Sequence, residues 1–194
     1  GWAVDRARVG GAPSRGTICI GADTAKAAFL RRAGFQPVDD TMVFMARSLA
    51  DPIPEVRLPD GYALITGAEH PELSSVTGHP LTPEAYAHLR QAPGYAPDLA
   101  VRACYRDREI AAGCICWYDD LDRCGELEPV GTAEAHRKQG LATVVLAQTM
   151  RNLRRYDADA VYVRTYKDNL PAVGLYRKVG FRITHEDHGW RRSV

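Results

Sequence analysis

Apolar residues recur at helical spacing through Ala142, Val145, Leu146, Met150 and Leu153, with Thr149 in the same stripe. They predict a helix from about Leu141 to Tyr156. Earlier in the chain, Trp2–Arg8 predicts a helical start ended by Gly10-Gly11, followed by a strand at Thr17–Gly21. A helix at Ala25–Ala33 stops at Gly34, and Met42–Arg47 is apolar enough for a strand. Past a Pro-rich stretch at Ala50–Glu55, a strand reaches Ile65, and His70–Gln91 is helical with an interruption near Gly78-His79-Pro80. Thr82 ahead of Pro83 suits an N-cap. Leu99–Tyr105 and Ile110–Tyr118 form a hairpin through Arg106–Glu109, and the polar turn Asp119–Arg123 leads into a strand over Gly125–Thr132. After the long helix come a strand at Ala160–Tyr166, a turn at Lys167–Asn169 and a helix at Leu170–Val179 closed by Gly180. Phe181 begins the last strands. This order predicts a mixed α/β (α+β) fold whose central sheet is mainly antiparallel and flanked by helices.

One segment occurs twice. Lys26–Phe35 aligns without gaps on Ala172–Phe181 at a constant offset of 146, Asp23 falls on Asn169, and Thr17–Ile20 falls on Val163–Tyr166. The expected organisation is a partial strand–helix–strand copy at 1–49, a linker at 50–57, and a complete domain at 58–194. In the early copy Asp23 stands for the asparagine and Leu30 for Tyr176, so it is read as a structural partner. Its helix face of Ala27, Phe29 and Leu30 is expected in a core.

The 194 residues suffice for one well-buried domain, or for one domain plus a fragment. Basic and acidic side chains, 25 against 24, leave a net charge of +1, which argues against a general nucleic-acid binder. No apolar run has the length of a membrane span and the N-terminus shows no signal-peptide core, so a cytoplasmic protein is expected. The five cysteines include no Cys-x-x-Cys pair and read as reduced thiols, with no metal site.

Chemistry concentrates around residues 125–142. Arg137, Lys138, Gln139, Gly140, Leu141 and Ala142 open the long helix, where unpaired N–H groups and the positive dipole end attract phosphate. Arg137 and Lys138 add two charges, and Gly140 lets an anion approach the backbone. Upstream, period-two alternation places Glu126, Glu128, Val130 and Thr132 on one face of a strand that Pro129 and Gly131 should make bulge and part from its neighbour. Downstream, Asn169 is a plausible N-cap, and Tyr176 lies two turns along the same helix face.

Arg137–Ala142 resembles the Gln/Arg-x-x-Gly-x-Gly/Ala pyrophosphate signature of the GNAT superfamily of acyl-CoA N-acyltransferases. Asn169 through Tyr176, with Ala172 inside, resembles that family's Asn-x-x-Ala-x-x-Leu/Phe-Tyr motif. The likeness covers about Pro59 to Val194. It implies a GNAT fold, acetyl-CoA as co-substrate without a metal, and an amine acceptor on a small molecule or peptide. By the resemblance, the backbone at Val130 and Thr132 holds pantetheine and polarises the thioester, and Asn169 bonds a pantetheine amide. Glu126, or else Glu128, takes the amine proton, and Tyr176 protonates the departing sulfur. The acceptor pocket would draw on His70–Gln91, Trp117, Tyr118, Asp119 and Asp120. The early copy then suggests the C-terminal part of a tandem GNAT protein, either cut short or naturally reduced. Direct attack in a ternary complex is preferred, with Cys124 as the one thiol to test for a ping-pong route. The alternatives are a non-catalytic acyl-CoA-binding regulatory module and, further off, an acyltransferase on aminoacyl-tRNA. Monomer and homodimer both remain open.

Overall fold

The computed structural model describes residues 14–67, 82–106 and 109–193. The predicted helical start at Trp2–Arg8 and residues 70–81 of the first helical region lie outside them. The described strands are β1 (Ser14–Ile20), β2 (Gln36–Ser48), β3 (Tyr62–Thr66), β4 (Tyr95–Tyr105), β5 (Glu109–Asp119), β6 (Cys124–Thr132), β7 (Ala160–Tyr166) and β8 (Arg182–Ser193). The described α-helices are α1 (Thr24–Arg32), α2 (Pro83–Leu89), α3 (Leu141–Leu153) and α4 (Leu170–Lys178), with 3-10 turns at Glu134–His136 and Arg154–Tyr156. The elements form a mixed α/β fold, with mainly antiparallel strands flanked by helices.

Two compact units divide these residues. The first gathers the described residues within Gly1–Met45, Arg164–Val173 and Ile183–Val194. Its strand order is β1-β8-β2, with β1 antiparallel to β8 from Ser14↔Ser193 to Ile20↔Asp187. Cys19, Leu30 and Trp190 form its small core, with Ala27 and Phe35 against them. Phe29 departs from the expected core face and is 60% exposed. It follows Ala28 on the outer side of α1, one residue before the buried Leu30.

The repeat has a physical counterpart. Moving β1 and α1 on by 146 residues gives the bounds of β7 and α4, and moving β2 gives β8 to within one residue. Asp23 Oδ1 accepts the Lys26 N–H at 2.9 Å, and Asn169 Oδ1 accepts the Ala172 N–H at 3.3 Å. Both helices end in a left-handed glycine, Gly34 with φ 81 and Gly180 with φ 94.

The second unit comprises Ala46–Val163 and Gly174–Arg182, so α4 begins in the first unit and ends in the second. Its strand order is β7-β6-β5-β4-β3, with β6 and β7 parallel and the other pairs antiparallel. Helix α3 covers one face. Leu141, Val145, Leu146, Met150 and Leu153 are at most 1% exposed, and each buried side chain contributes about 1.5–3 kcal/mol. A Cβ on Gly125 would come within 2.5 Å of Leu153 Cδ2 and 2.6 Å of Cys116 Sγ, so glycine there lets α3 seat closely on β6. Buried Asn152 is satisfied, donating to Asp98 O at 2.7 Å and accepting from Gln148 at 2.8 Å. The predicted α3 tightens to a 3-10 turn after Leu153, where Asp157 takes a left-handed conformation, φ 55. Helix α2 covers the opposite face, with Leu89 packed on Ala100 and Ile115.

Candidate active site

Strand β6 carries the site because it changes neighbours along its length. Its paired register with β7 runs only from Cys124↔Ala160 to Glu126↔Tyr162, whereas its pairing with β5 continues to Thr132. On the β5 side Cys116 faces Leu127 and Cys114 faces Val130, so Glu128 and Pro129 together oppose Ile115. This is a bulge of two residues against one. The Trp117 indole N–H donates to Glu128 O at 2.7 Å and fastens it.

The bulge corrects the predicted alternation. Paired residues of an antiparallel ladder share a face. Glu126 pairs with Trp117 on the α2 face, while Val130 pairs with Cys114 on the α3 face, and Thr132 follows Val130. The extra residue moves Val130 and Thr132 to the face opposite Glu126. Their backbone groups still turn as expected. Ala133 N–H donates to Ala111 O at 2.8 Å, which makes Ala133 and Ala111 a hydrogen-bonded pair. The ladder's alternation makes Gly131↔Gly113 the next such pair and leaves Val130↔Cys114 and Thr132↔Ala112 between them. The N–H and C=O groups of Val130 and Thr132 therefore point away from β5, toward the side that β7 has left. Arg137 Nε donates to Thr132 O on that side at 3.5 Å.

The chain runs from this edge directly into the loop Arg137–Gly140. Lys138 has φ 64, and Gly140 has φ 80 and caps α3. A Cβ on Gly140 would meet nothing within 4 Å, so the helix end is open to an approaching group. Val144 is the first amide to bond back, to Gly140 O at 3.2 Å. Leu141, Ala142 and Thr143 hold first-turn positions whose N–H groups have no intrahelical acceptor. Arg137, Lys138 and Gln139 are exposed around them. The donor set and charge fit a pyrophosphate.

Sequence reasoning missed what anchors this loop. His136, 7% exposed, places Nδ1 2.7 Å from Tyr62 Oη and Nε2 3.1 Å from Glu109 Oε1. Tyr62 Oη donates in turn to Gln139 Oε1 at 2.9 Å, and Tyr105 packs against both Tyr62 and His136. Nothing in the sequence marks His136 as buried, and its partners come from β3 and β5.

Glu126 is half-buried and accepts the Tyr162 hydroxyl at 3.1 Å, whereas Glu128 is exposed on the bulge. A concavity of about 340 Å³ beside Glu126 is lined by Trp117, Tyr118, Asp119, Asp120, Cys124 and Tyr162, among others. Tyr176 is 5% exposed and packs at a tilt against Phe181; burial first, and then the Cys114 thiol, push its phenol well above the ordinary tyrosine range. Burial likewise pushes the Cys114 thiol up to about 12 and raises Cys116 and Cys124. Cys124 is raised further by Asp119, Asp122 and Glu126. The second unit thus brings together Glu126, Glu128, Val130, Thr132, Arg137–Ala142 and Tyr176. Asn169 and Ala172 belong to the first unit at the start of α4. Among the described residues no cluster of His, Cys, Asp or Glu is arranged to hold a metal ion. No described helix is long and apolar enough to cross a membrane.

Residues 68–181 match a family model described as acetyltransferase (GNAT) family. A mycothiol acetyltransferase of Catenulispora acidiphila is 28% identical over 185 aligned positions, covering 83% of this chain and 56% of the relative. The fold resembles a GCN5-related N-acetyltransferase from Sphaerobacter thermophilus, with TM-score 0.76, 21% identity, and coverage of 99% of this chain and 64% of that one. It also resembles a tandem GNAT protein from the clavulanic acid biosynthesis pathway, with TM-score 0.73, 16% identity, and coverage of 99% and 68%. The chain thus spans about half the length of that curated relative.

Proposed function

Because this chain belongs to the acetyltransferase (GNAT) family, we propose that it moves an acetyl group from acetyl-CoA to a primary amine of a small molecule or peptide, by direct attack in a ternary complex. One observation carries this reading. Strand β6 leaves β7 after Glu126, turns the backbone of Val130 and Thr132 to the opened side, and runs into the bare N-terminus of α3.

Acetyl-CoA, when bound, supplies the activated acyl group. Arg137, Lys138 and the amides of Gln139, Gly140, Leu141 and Ala142 hold the pyrophosphate, with Glu109, His136 and Tyr62 keeping the loop in shape. Val130 and Thr132 bind the pantetheine arm through the opened edge, and an N–H there faces the carbonyl oxygen where negative charge gathers. Glu126, on the α2 face, takes the proton of the incoming ammonium so that its nitrogen can attack. Glu126 is preferred to Glu128 because it stands beside the concavity. Tyr176 holds its proton at neutral pH, the state needed to protonate the leaving sulfur. A thiolate relay through Cys124 is disfavoured by the raised position of that thiol. The roles of Asn169 and Ala172 rest on the motif resemblance alone. Glu126 and Tyr176 beside the opened edge favour catalysis over a regulatory module.

The repeat at an offset of 146 and the likeness to a tandem GNAT protein support reading 1–49 as part of an earlier copy and 58–194 as the catalytic one. The activity is tested by release of CoA thiol from acetyl-CoA over a panel of amines. Amine-dependent release that Tyr176→Phe abolishes supports the reading. Saturable acetyl-CoA binding with no turnover across the panel would leave a binding module instead.

A further inference from the structure

Helix α4 ends in a turn that is tied directly to Tyr176. Gly180 takes the left-handed conformation, φ 94, and its N–H donates to Arg177 O at 3.0 Å, while the Phe181 N–H donates to Tyr176 O at 3.0 Å. The Phe181 ring packs on the Tyr176 ring with centroids 5.8 Å apart, so the apolar contact that closes this glycine cap is Tyr176 itself. The cap satisfies the carbonyls of Tyr176 and Arg177, and the Val179 carbonyl takes its donor from another element. Arg47, on β2 and 5% exposed, donates to Val179 O through Nη1. The fit is close: a Cβ on Gly180 would stand 3.1 Å from that Nη1.

The same guanidinium is anchored on its other sides. Nε donates to Ser48 O at 3.3 Å, and Nη2 donates to Asp51 O at 3.0 Å and to Pro52 O at 3.2 Å. A planar fork of N–H donors thus joins two stretches of the second unit, 48–52 and the end of α4. The first stretch is itself held to the end of α3. Arg154 Nη2 donates to Leu49 O at 2.6 Å and to Asp51 O at 2.8 Å, and Arg151 donates to Pro54 O at 3.0 Å. Lysine, with one compact ammonium, cannot span both stretches.

The repeat contains the same device with a different residue inside it. In the first unit the Gly34 N–H donates to Arg31 O and the Phe35 N–H to Leu30 O, both at 3.0 Å, and Arg192 Nη1 donates to Ala33 O at 2.6 Å. Moved on by 146 residues, Leu30, Ala33, Gly34 and Phe35 become Tyr176, Val179, Gly180 and Phe181. A Cβ on Gly34 would stand 3.2 Å from Arg192 Cδ. Each helix is therefore capped by an arginine from the last strand of the other repeat, Arg47 of β2 for α4 and Arg192 of β8 for α1. The residue that closes the cap is apolar Leu30 in one and the phenol Tyr176 in the other. Arg192 secures a helix end that carries no reacting group.

We infer that Arg47 is a positioning residue for Tyr176: by joining Val179 O to the anchored stretch 48–52 it fixes the last turn of α4, and with it the direction and depth of the phenol. Arg192 is its counterpart for the fold alone. The inference rests on the proposed role of Tyr176 as proton donor to the departing sulfur. A misplaced donor of this kind costs rate and leaves acetyl-CoA binding intact, because the phenol acts only as the thioester breaks.

The chain is labelled with fluorotyrosine, and the fluorine resonance of Tyr176 is assigned by its loss in Tyr176→Phe. Arg47→Met should move or broaden that resonance, Arg47→Lys should do so less, and Arg192→Met should leave it in place. In initial-rate assays of CoA release over the amine panel, Arg47→Met should lower kcat by about tenfold or more with KM for acetyl-CoA kept within about twofold. Arg192→Met should lower Tm and keep both constants. An unmoved Tyr176 resonance in Arg47→Met, or in Arg47→Lys if the methionine variant does not fold, would overturn the inference. So would an equal shift from Arg192→Met, or an unchanged kcat beside a moved resonance. If Tyr176→Phe keeps full turnover, the acid assignment fails separately, and the resonance still decides whether Arg47 holds the ring.

Discussion

The N–H of Ala133 donates to the carbonyl of Ala111 at 2.8 Å, and this bond fixes which way the backbone of β6 faces. With that pair bonded, Gly131 turns its N–H and C=O to β5, while Val130 and Thr132 turn theirs to the side β7 has left. Proline at each position separates the two roles. Thr132→Pro removes a donor from the open side and should weaken acetyl-CoA binding by about tenfold, the worth of one hydrogen bond, with Tm nearly kept. Gly131→Pro removes a ladder donor and should cost about 1–3 kcal/mol of stability. Chemical denaturation and calorimetry on the two variants check the contrast.

Glu126 and Glu128 are two residues apart but sit differently, one half-buried against Tyr162 and one exposed on the bulge. Glu126→Gln should lower kcat by about 100-fold or more, the usual loss of a general base, and remove the acid limb of the pH–rate profile. Glu128→Gln should stay within about threefold of the parent. The reverse order in steady-state assays would move the base to Glu128.

How far the site could be read in advance depended on the range of the interactions. Arg137–Ala142 was legible because a helix N-terminus, a glycine and two cations are local chemistry. Pro129 and Gly131 likewise announced a break in β6. The direction of its consequence was not legible: one extra residue carries Val130 and Thr132 to the face opposite Glu126, and only the register with Cys114 and Cys116 reveals it. His136 depends on Tyr62 and Glu109, far off in sequence, so nothing near it announced the contact. Phe29 was placed in a core because it is apolar, but α1 is short and turns only Leu30 fully inward. The repeat was the most legible feature, since residues that cap and close a helix stand at fixed offsets.

Loss of the His136 imidazole should loosen the loop without touching the reacting atoms. For His136→Ala, KM for acetyl-CoA should rise about tenfold with kcat kept within about twofold, and stability should fall by about 1–3 kcal/mol through the unpaired Tyr62 and Glu109. Tyr62→Phe should show a smaller shift of the same kind. A kcat effect larger than the KM effect in initial-rate data would place His136 in the chemistry instead.

Alkaline pH should destabilise the fold. Cys114 is held up to about 12 by burial, and Cys116, Cys124, Tyr95 and Tyr176 are raised for the same leading reason. Each group ionises in the unfolded chain before it does so in the folded one, so the folded state binds more protons and stability falls as pH rises. The thiol contribution is intact below the ordinary thiol range and is lost from about pH 9 upward, at no more than about 1.4 kcal/mol per pH unit for each of the buried Cys114 and Cys116, less for the half-exposed Cys124, and the phenols add to the loss from about pH 10. Tm measured against pH should be level through neutrality and drop beyond that point. Cys114→Ala should flatten the drop; an unchanged slope would remove Cys114 from this account.

Calorimetric titration with acetyl-CoA, beside free CoA and the Arg137→Ala variant, tests the central claim most directly. Saturable binding is predicted, with free CoA retaining most of the affinity and Arg137→Ala weakening it by about tenfold or more, as loss of a charge-assisted phosphate contact requires. Absence of binding at millimolar ligand, or binding indifferent to Arg137, would contradict a pyrophosphate site at the head of α3.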